Sequence, residues 1–341
     1  MNQFIPKRAL FEREALDYPI GQQVYQKMRD LGVDISFIGS HNRVTGIPGK
    51  TAQEAYVEGK KTLVVGIRRG LEFQTCKPSA HYQLPLVTSC IGKCEYCYLQ
   101  TSLGKKPYIR IYVNIDEILE RARQYIIERK PEITIFEGAA TSDPLPVEPY
   151  TGALKEAIEF FGNQELGRFR FVTKFDNVES LLDAKHNDHT TFRFSINSQK
   201  VIQQFEHQTP SMEERIIAAS KVAAAKYPIG FIIGPILYYE RWQEGYGEML
   251  EKLKKRLEST KLSHITFELI THRFTKSAKR NILEVFPNTK VPLDEEERVF
   301  KYGQFGYGKY LYPKEIMSEI KSFFEEQIAN LFPDAKILYF V

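Results

Sequence analysis

The sequence predicts an α/β fold built on a parallel sheet, and three observations carry that prediction. Runs of β-branched and aromatic residues alternate with amphipathic stretches at helical spacing from about residue 84 onward, as in successive βα units. The composition is that of an ordinary globular protein: 43% hydrophobic, 26% charged, with 21 Gly and 17 Pro, which excludes disordered and collagen-like chains. The length of 341 residues suits either one large α/β barrel or about two domains.

Six strands are expected, at residues 84–89, 133–137, 169–173, 191–196, 229–236 and 265–270. Each is rich in the side chains that favour a pleated, half-buried surface. Between them, residues 115–130 repeat Ile118, Leu119, Ala122, Tyr125 and Ile126 at helical spacing behind Asn114 as a cap. Further helices are expected at 150–162, 211–225, 246–257 and, near the C-terminus, 313–331. Residues 1–80 read as a separate N-terminal α/β layer with a helix around 21–31 and a strand at 62–68. No repeat or low-complexity block interrupts the chain.

Charge and hydropathy narrow the function classes. Lysine and arginine number 47 against 43 acidic residues, a net charge of +4, too weak a field to signal nucleic-acid binding from composition. Any basic surface must be local. The chain has 19 Tyr and 23 Phe against one Trp, a supply of stacking surfaces, although most Phe are expected in the core. The longest nearly apolar run, 227–239, contains Gly and Pro and is too short for a bilayer span. The first residues lack the apolar segment and small-residue cleavage site of a secretory signal, so the expected location is cytoplasmic, off the membrane, with reduced cysteines.

Three of the four cysteines form Cys90-Ile91-Gly92-Lys93-Cys94-Glu95-Tyr96-Cys97, a CxxxCxxC array directly after the first expected strand. Thiolates this close in sequence can converge on one centre, and thiolate-only ligation selects iron–sulfur clusters or zinc. Three ligands leave one iron of a cubane cluster open to substrate or cosubstrate. A structural zinc site needs a fourth ligand, which Cys76 would have to supply. His186 and His189 form an HxxH pair in a polar loop without companion ligands.

Cys90, Cys94 and Cys97, with Tyr96 between the last two, resemble the cluster motif of the radical S-adenosylmethionine superfamily. Residues 89–100, Thr141-Ser142-Asp143, Phe171-Val172-Thr173-Lys174, Arg193-Phe194-Ser195-Ile196-Asn197 and Lys301-Tyr302-Gly303 are similar to those of the spore photoproduct lyase family over most of the chain. The resemblance implies a partial (β/α)6 barrel of TIM type at 81–275, with the N-terminal layer before it and a C-terminal extension at 276–341 that carries a DNA-contacting hairpin and a helix. It implies a 4Fe–4S cluster on Cys90, Cys94 and Cys97 and S-adenosylmethionine as cofactors. The implied reaction is DNA repair: a 5′-deoxyadenosyl radical returns the UV-induced spore photoproduct, 5-thyminyl-5,6-dihydrothymine, to two thymines. Implied partners are UV-damaged DNA and an electron donor such as flavodoxin or ferredoxin, for a monomeric enzyme of the bacterial spore core.

Polar residues recur where the expected strands end, the active-site face of an α/β barrel. Taken singly, each is as readily a loop or cap residue. With the resemblance, Lys174 is the expected partner of the S-adenosylmethionine carboxylate, because an ammonium neutralises it. Ser142, Asp143 and Ser195 are expected around the amino acid portion and ribose, and Tyr98 near the adenine. Gly234 closes a GxIxG-like run, Gly230-Phe231-Ile232-Ile233-Gly234, that reads equally well as a packed strand. Tyr96 and Tyr98 are candidates to relay a hydrogen atom or electron back to S-adenosylmethionine.

One departure stands out. Position 140, where the family carries its hydrogen-donor cysteine, is Ala140, so the sequence alone predicts impaired repair. DNA contacts are expected from two basic, aromatic stretches. One holds Arg273 and Lys276; the other holds Lys301, Tyr302, Phe305 and Tyr307, suited to stacking on an extruded lesion. Two other readings remain open: a zinc-stabilised nucleic-acid-binding module, and a radical enzyme of the same superfamily with another substrate.

Overall fold

The computed structural model describes residues 3–258, 260, 265–302 and 308–341, with backbone alone at 100 and 101. The chain divides into two compact units, Met1–Ile91 with Leu103–Phe192, and Gly92–Ser102 with Arg193–Val341. Among the described residues no helix is long and apolar enough to cross a membrane.

In the first unit a five-stranded sheet is ordered Asp34–Ile38, Arg8–Glu12, Thr62–Gly66, Ile109–Tyr112, Val87–Thr88. Its first four strands are parallel and the last antiparallel. Arg8–Glu12 and Thr62–Gly66 are buried along their whole length, as parallel strands covered on both faces must be. Helix Pro19–Asp30 begins with proline, whose missing N–H costs nothing in the first turn. Helix Ala52–Lys60 is opened by a capping box between Thr51 and Glu54.

A second sheet in this unit runs Thr75–Cys76, Ala80–Gln83, Thr134–Glu137, Gly167–Thr173, its last three strands parallel. Here the structure corrects the first expected strand. Residues 84–89 do not form one strand: Ala80–Gln83 lies beside Thr134–Glu137, whereas Val87–Thr88 belongs to the other sheet. The ladder ends where Leu84 donates to the Glu137 carbonyl, because Pro85 has no N–H to continue it. The core is phenylalanine, as expected: Phe136, Phe161, Phe169, Phe171 and Phe192 are fully buried, with neighbouring rings 4.4 to 5.7 Å apart.

Helix Ile115–Glu128 buries the expected apolar stripe. Asn114, however, does not cap it: its side chain accepts from Arg68 N and donates to Arg68 O and Glu117. The single helix expected at 150–162 is two, Glu148–Thr151 and Ala153–Gly162, broken at Gly152. A φ of 68° there is the left-handed conformation that glycine tolerates.

The chain leaves the first unit inside strand Thr190–Ile196. In the second unit that strand neighbours Ile229–Ile236, followed by Ile265–Thr271 and Lys336–Phe340, the last two pairings parallel. Helix Met212–Ala224 is opened by a Ser211–Glu214 capping box. Trp242–Leu257 and Lys314–Leu331 pack Trp242, Tyr246 and Phe324 into a buried aromatic group. Strands Val299–Tyr302 and Gly308–Leu311 form an antiparallel hairpin.

Candidate active site

In the first unit the chain arriving at Cys90 is held by its neighbours. Ser89 has a φ of 74°, costly for a residue with a side chain, and it is pinned on all sides. Its N–H donates to Thr141 O at 2.9 Å, its carbonyl accepts from Asp143 N at 3.4 Å, and its hydroxyl donates to Pro107 O at 2.9 Å. Ser89 and Ser142 form a parallel bridge. Buried Lys60 donates to the Cys90 carbonyl. Cys90 and the Thr141-Ser142-Asp143 run are thus brought together.

Asp143 draws in the next candidate. Its carboxylate accepts from Thr173 Oγ1 at 2.8 and 3.0 Å, from Lys174 N at 2.9 Å and from Leu145 N at 3.3 Å. Burial raises its pKa to about 6 against the pull of these donors. These bonds fix the backbone of Lys174. The hydroxyl of Ser142 is buried with no partner among the described residues, a polar group with capacity for a ligand. Ala140 lies in the Gly138-Ala139-Ala140 segment after Thr134–Glu137, at a half-buried position.

In the second unit, strand Lys93–Cys94 pairs antiparallel with Glu206–His207. Cys94 is buried, Cys97 is half-buried, and none of the four cysteines is in a disulfide. Cys97 N donates to Cys94 O at 3.2 Å and Glu95 N to Phe205 O at 2.9 Å. Glu95 is bonded to His207 Nε2 at 2.7 Å and accepts from Thr289. Tyr96 packs against the core around Phe205, Phe274 and Tyr310 and donates to Glu206. Burial first, and then the Glu206 carboxylate, push its phenol well above the ordinary range.

Glu206 is in turn paired with Arg215 at 2.6 Å, both fully buried. Arg215 also donates to the Ser195 carbonyl at 3.1 Å. One chain of contacts therefore runs from the cysteine loop to Ser195. Asn197, two residues on, donates to Pro235 O at 2.9 Å, next to Gly234. A side chain at Gly230 would press on Thr266 and Arg193, whereas one at Gly234 would first meet Ile270 at 3.2 Å; only Gly230 is required by packing. Tyr98 is 60% exposed.

The remaining candidates of this unit gather around Phe274, which exchanges two backbone hydrogen bonds with Tyr310 of the hairpin at 3.2 and 2.8 Å. Exposed Arg273 precedes it. Arg298 donates to the His272 carbonyl at 2.9 Å and lies 3.6 Å from the centre of the Tyr312 ring. Burial, then Arg298, hold His272 down at about 3, so it stays neutral. The Lys309 pKa is lowered by burial and then by the positive charge of Arg273. Lys276 and Lys301 are exposed, and Tyr302 is 79% exposed. Phe305 and Tyr307 lie outside the described residues.

Among the described residues no three His, Cys, Asp or Glu side chains stand together as a metal group, but the chemistry of the loop's donors is that of an iron–sulfur centre. Glu95 and Tyr96, the loop residues that otherwise offer oxygen, are engaged with His207, Thr289 and Glu206, leaving thiolates as the loop's ligands. Lys60, Glu206, Arg215, Arg298 and Lys309 were not foreseen from sequence as parts of these networks. Nothing local marks them: Lys60 meets Cys90 across 30 residues, Glu206 meets Tyr96 across 110, Arg298 meets His272 across 26, and Arg215 meets Ser195 across 20.

Fold and site together define a radical S-adenosylmethionine enzyme of partial (β/α)6 barrel type, with a 4Fe–4S cluster and S-adenosylmethionine as cofactors. The family model for spore photoproduct lyase matches residues 4–341. The spore photoproduct lyase of Clostridium acetobutylicum is 53% identical over 335 residues, 98% of each chain, and that of Geobacillus sp. (strain Y412MC61) is 51% identical over 340 residues, 100% of each. A solved structure of a spore photoproduct lyase double mutant with bound AdoMet and dinucleoside spore photoproduct matches with a TM-score of 0.97 at 51% identity, covering 100% of both chains. In that mutant, alanine replaces the cysteine at position 140 and cysteine replaces the serine at position 76. The chain belongs to the spore photoproduct lyase family.

Proposed function

We propose that this chain returns spore photoproduct in DNA to two thymines, and that Cys76 supplies the hydrogen atom that Ala140 cannot. The observation that carries the donor assignment is the anchoring of the Cys76 segment. Ser79, at the other end of the turn from Cys76, donates to Glu137 at 2.9 Å, and Glu137 ends the strand that leads into Ala140. This chain also carries alanine at 140 and cysteine at 76, the residues at those numbers in the mutant solved with lesion and AdoMet. A chain with no thiol in reach would be impaired, as the sequence alone suggests; Cys76 is the reason to expect repair.

When bound, the cluster and S-adenosylmethionine supply a 5′-deoxyadenosyl radical by one-electron cleavage of the sulfonium. Cys90, Cys94 and Cys97 would hold the cluster as thiolates. The Lys174 ammonium and the Ser142 hydroxyl would receive the amino acid portion of S-adenosylmethionine, with Asp143 fixing Lys174 through its backbone. Ser195 and Gly234 would line the nucleoside portion. After the adduct bond breaks, the Cys76 S–H would give its hydrogen to the thymine carbon radical: a C–H bond forms, an S–H bond breaks, and the unpaired electron moves to sulfur. Tyr96 has its hydroxyl committed to Glu206, which favours Tyr98 for the relay toward S-adenosylmethionine. Arg273, Lys276, Lys301 and Tyr302, with Phe305 and Tyr307, would hold the damaged DNA. The working form is proposed as a monomer in the spore core that takes one electron from a flavodoxin or ferredoxin.

The test is anaerobic reconstitution with iron and sulfide, then reaction with a dinucleoside lesion while 5′-deoxyadenosine and thymine products are followed together. The wild type should give both, and Cys76→Ala should still form 5′-deoxyadenosine while losing nearly all correct thymine product. Unchanged repair by Cys76→Ala would remove the donor role, little repair by the wild type would restore the expectation of impairment, and a colourless zinc protein would overturn the enzyme reading.

A further inference from the structure

We infer that the first unit carries a separate phosphate-binding site for DNA, formed by Arg68 and Arg110 around Tyr112. The ligand rests on the repair reading; the site rests on geometry. Tyr108, Arg110 and Tyr112 alternate along one stretch of chain, so their side chains share a face of the five-stranded sheet. Strand Arg8–Glu12 has Asp34–Ile38 on one side and Thr62–Gly66 on the other. The chain therefore reverses its winding direction there, and the crevice beyond the carboxyl ends of such strands is where open α/β sheets take ligands.

The charges at this end of the sheet do not cancel. Glu12 is fully buried and accepts from His41 N, His41 Nδ1, Ile67 N and Arg69 Nη1 at 2.9 to 3.1 Å. Burial alone would raise its pKa, but these donors hold it at about 2. Its negative charge is fully occupied by Arg69 and this ring of donors. Arg110 finds only neutral partners: Tyr108 Oη at 2.8 Å, Asn42 Oδ1 at 3.3 Å and Tyr112 Oη at 3.4 Å. Arg68 lies with its guanidinium 5.7 Å from the centre of the Tyr112 ring. The Nε atoms of both arginines are buried without a hydrogen-bond partner, and neither pairs with a carboxylate among the described residues.

Two half-buried guanidiniums at one tyrosine, with no paired carboxylate among the described residues, are unfavourable unless an anion arrives from outside. A phosphodiester suits them, because its two non-bridging oxygens, which share one negative charge, accept the forked donors of arginine. The site is also fixed in advance: the Arg68 backbone is held by two bonds to the Asn114 amide, and the space beside Gly66, where a side chain would collide with the His41 ring, is already filled. Tyr112 Oη lies 3.2 Å from Thr88 Oγ1. Nothing here offers a pattern for reading base edges, so the contact is sequence-independent and strengthens binding to a duplex.

The experiment compares the wild type with the Arg68→Gln, Arg110→Gln double variant on two substrates. Affinity for a lesion-containing duplex of about 20 base pairs is measured across about 50 to 200 mM salt, and repair of the dinucleoside lesion is measured beside it. The double variant should bind the duplex roughly tenfold more weakly, with a salt slope shallower by about 1 to 2, while dinucleoside repair is unchanged. An unchanged slope, or an equal loss of dinucleoside repair, overturns the site. Absence of dinucleoside repair by the wild type counts against the repair reading, and the duplex slope then judges the site alone. Should the double variant not fold, phenylglyoxal modification of the wild type decides: duplex DNA should protect Arg68 and Arg110, and no protection, or equal protection by the same concentration of inorganic phosphate, overturns the assignment.

Discussion

Asp143 shows how one buried side chain can organise the backbone around it. It binds Thr173, Leu145 and the backbone of Lys174, and its burial has a cost that pH reveals. Its folded-state pKa of about 6 lies above the ordinary 3.8, so the folded protein keeps a proton that the unfolded chain releases. The stability this contributes is present below about pH 4 and is lost as pH rises toward 6, by about 3 kcal/mol. Glu148 and Glu156, both raised to about 7, act in the same sense. Asp143→Asn should therefore flatten this fall relative to the wild type, as read by denaturant unfolding at pH 4, 5, 6 and 7; parallel curves would contradict it. At this scale the site was legible where it is local. Cys90, Cys94 and Cys97 stand in one short run whose chemistry shows in the sequence, whereas Ser142 and Lys174 are proposed from their places after expected strands together with the family resemblance. Lys60 and Glu206 meet the cysteine loop from 30 and 110 residues away, and no spacing announces such meetings.

Among the elements, Thr134–Glu137, Ile229–Ile236 and Ile265–Thr271 are legible because short runs enriched in β-branched and aromatic residues favour strands over helices. Residues 84–89 look equally strand-like, yet Pro85 ends one ladder and the next residues join another sheet. Asp34–Ile38 and Lys336–Phe340 were missed because edge strands with exposed residues carry a weak alternation. The short strand at Glu206–His207 was missed as well, though it braces the cysteine loop. Its Glu206–Arg215 pair is buried, and breaking such a pair leaves an uncompensated charge. Glu206→Gln should cost about 3 kcal/mol in unfolding and, by releasing Tyr96, alter the electron paramagnetic resonance signal of the reduced cluster. An unchanged signal together with unchanged stability would show that the loop does not depend on this brace.

For the molecule as a whole, the two units are not two consecutive halves of the chain. The second unit takes residues 92–102 from within the sequence of the first, and composition gives no hint of that exchange. A fragment of residues 193–341 alone lacks the strand Lys93–Cys94 that pairs with Glu206–His207. It should unfold at markedly lower temperature than the whole protein, measured by calorimetry; equal stability would show that the inserted strand is dispensable. The same pairing sets an order of events during synthesis. Tyr96 leaves the ribosome 110 residues ahead of Glu206, an interval of about 5 to 20 s at ordinary elongation rates. Throughout that interval the thiols hang on a segment whose bracing strand has not yet been made, so the assembly machinery that delivers iron and sulfide meets a finished receptor only after the chain has passed residue 207.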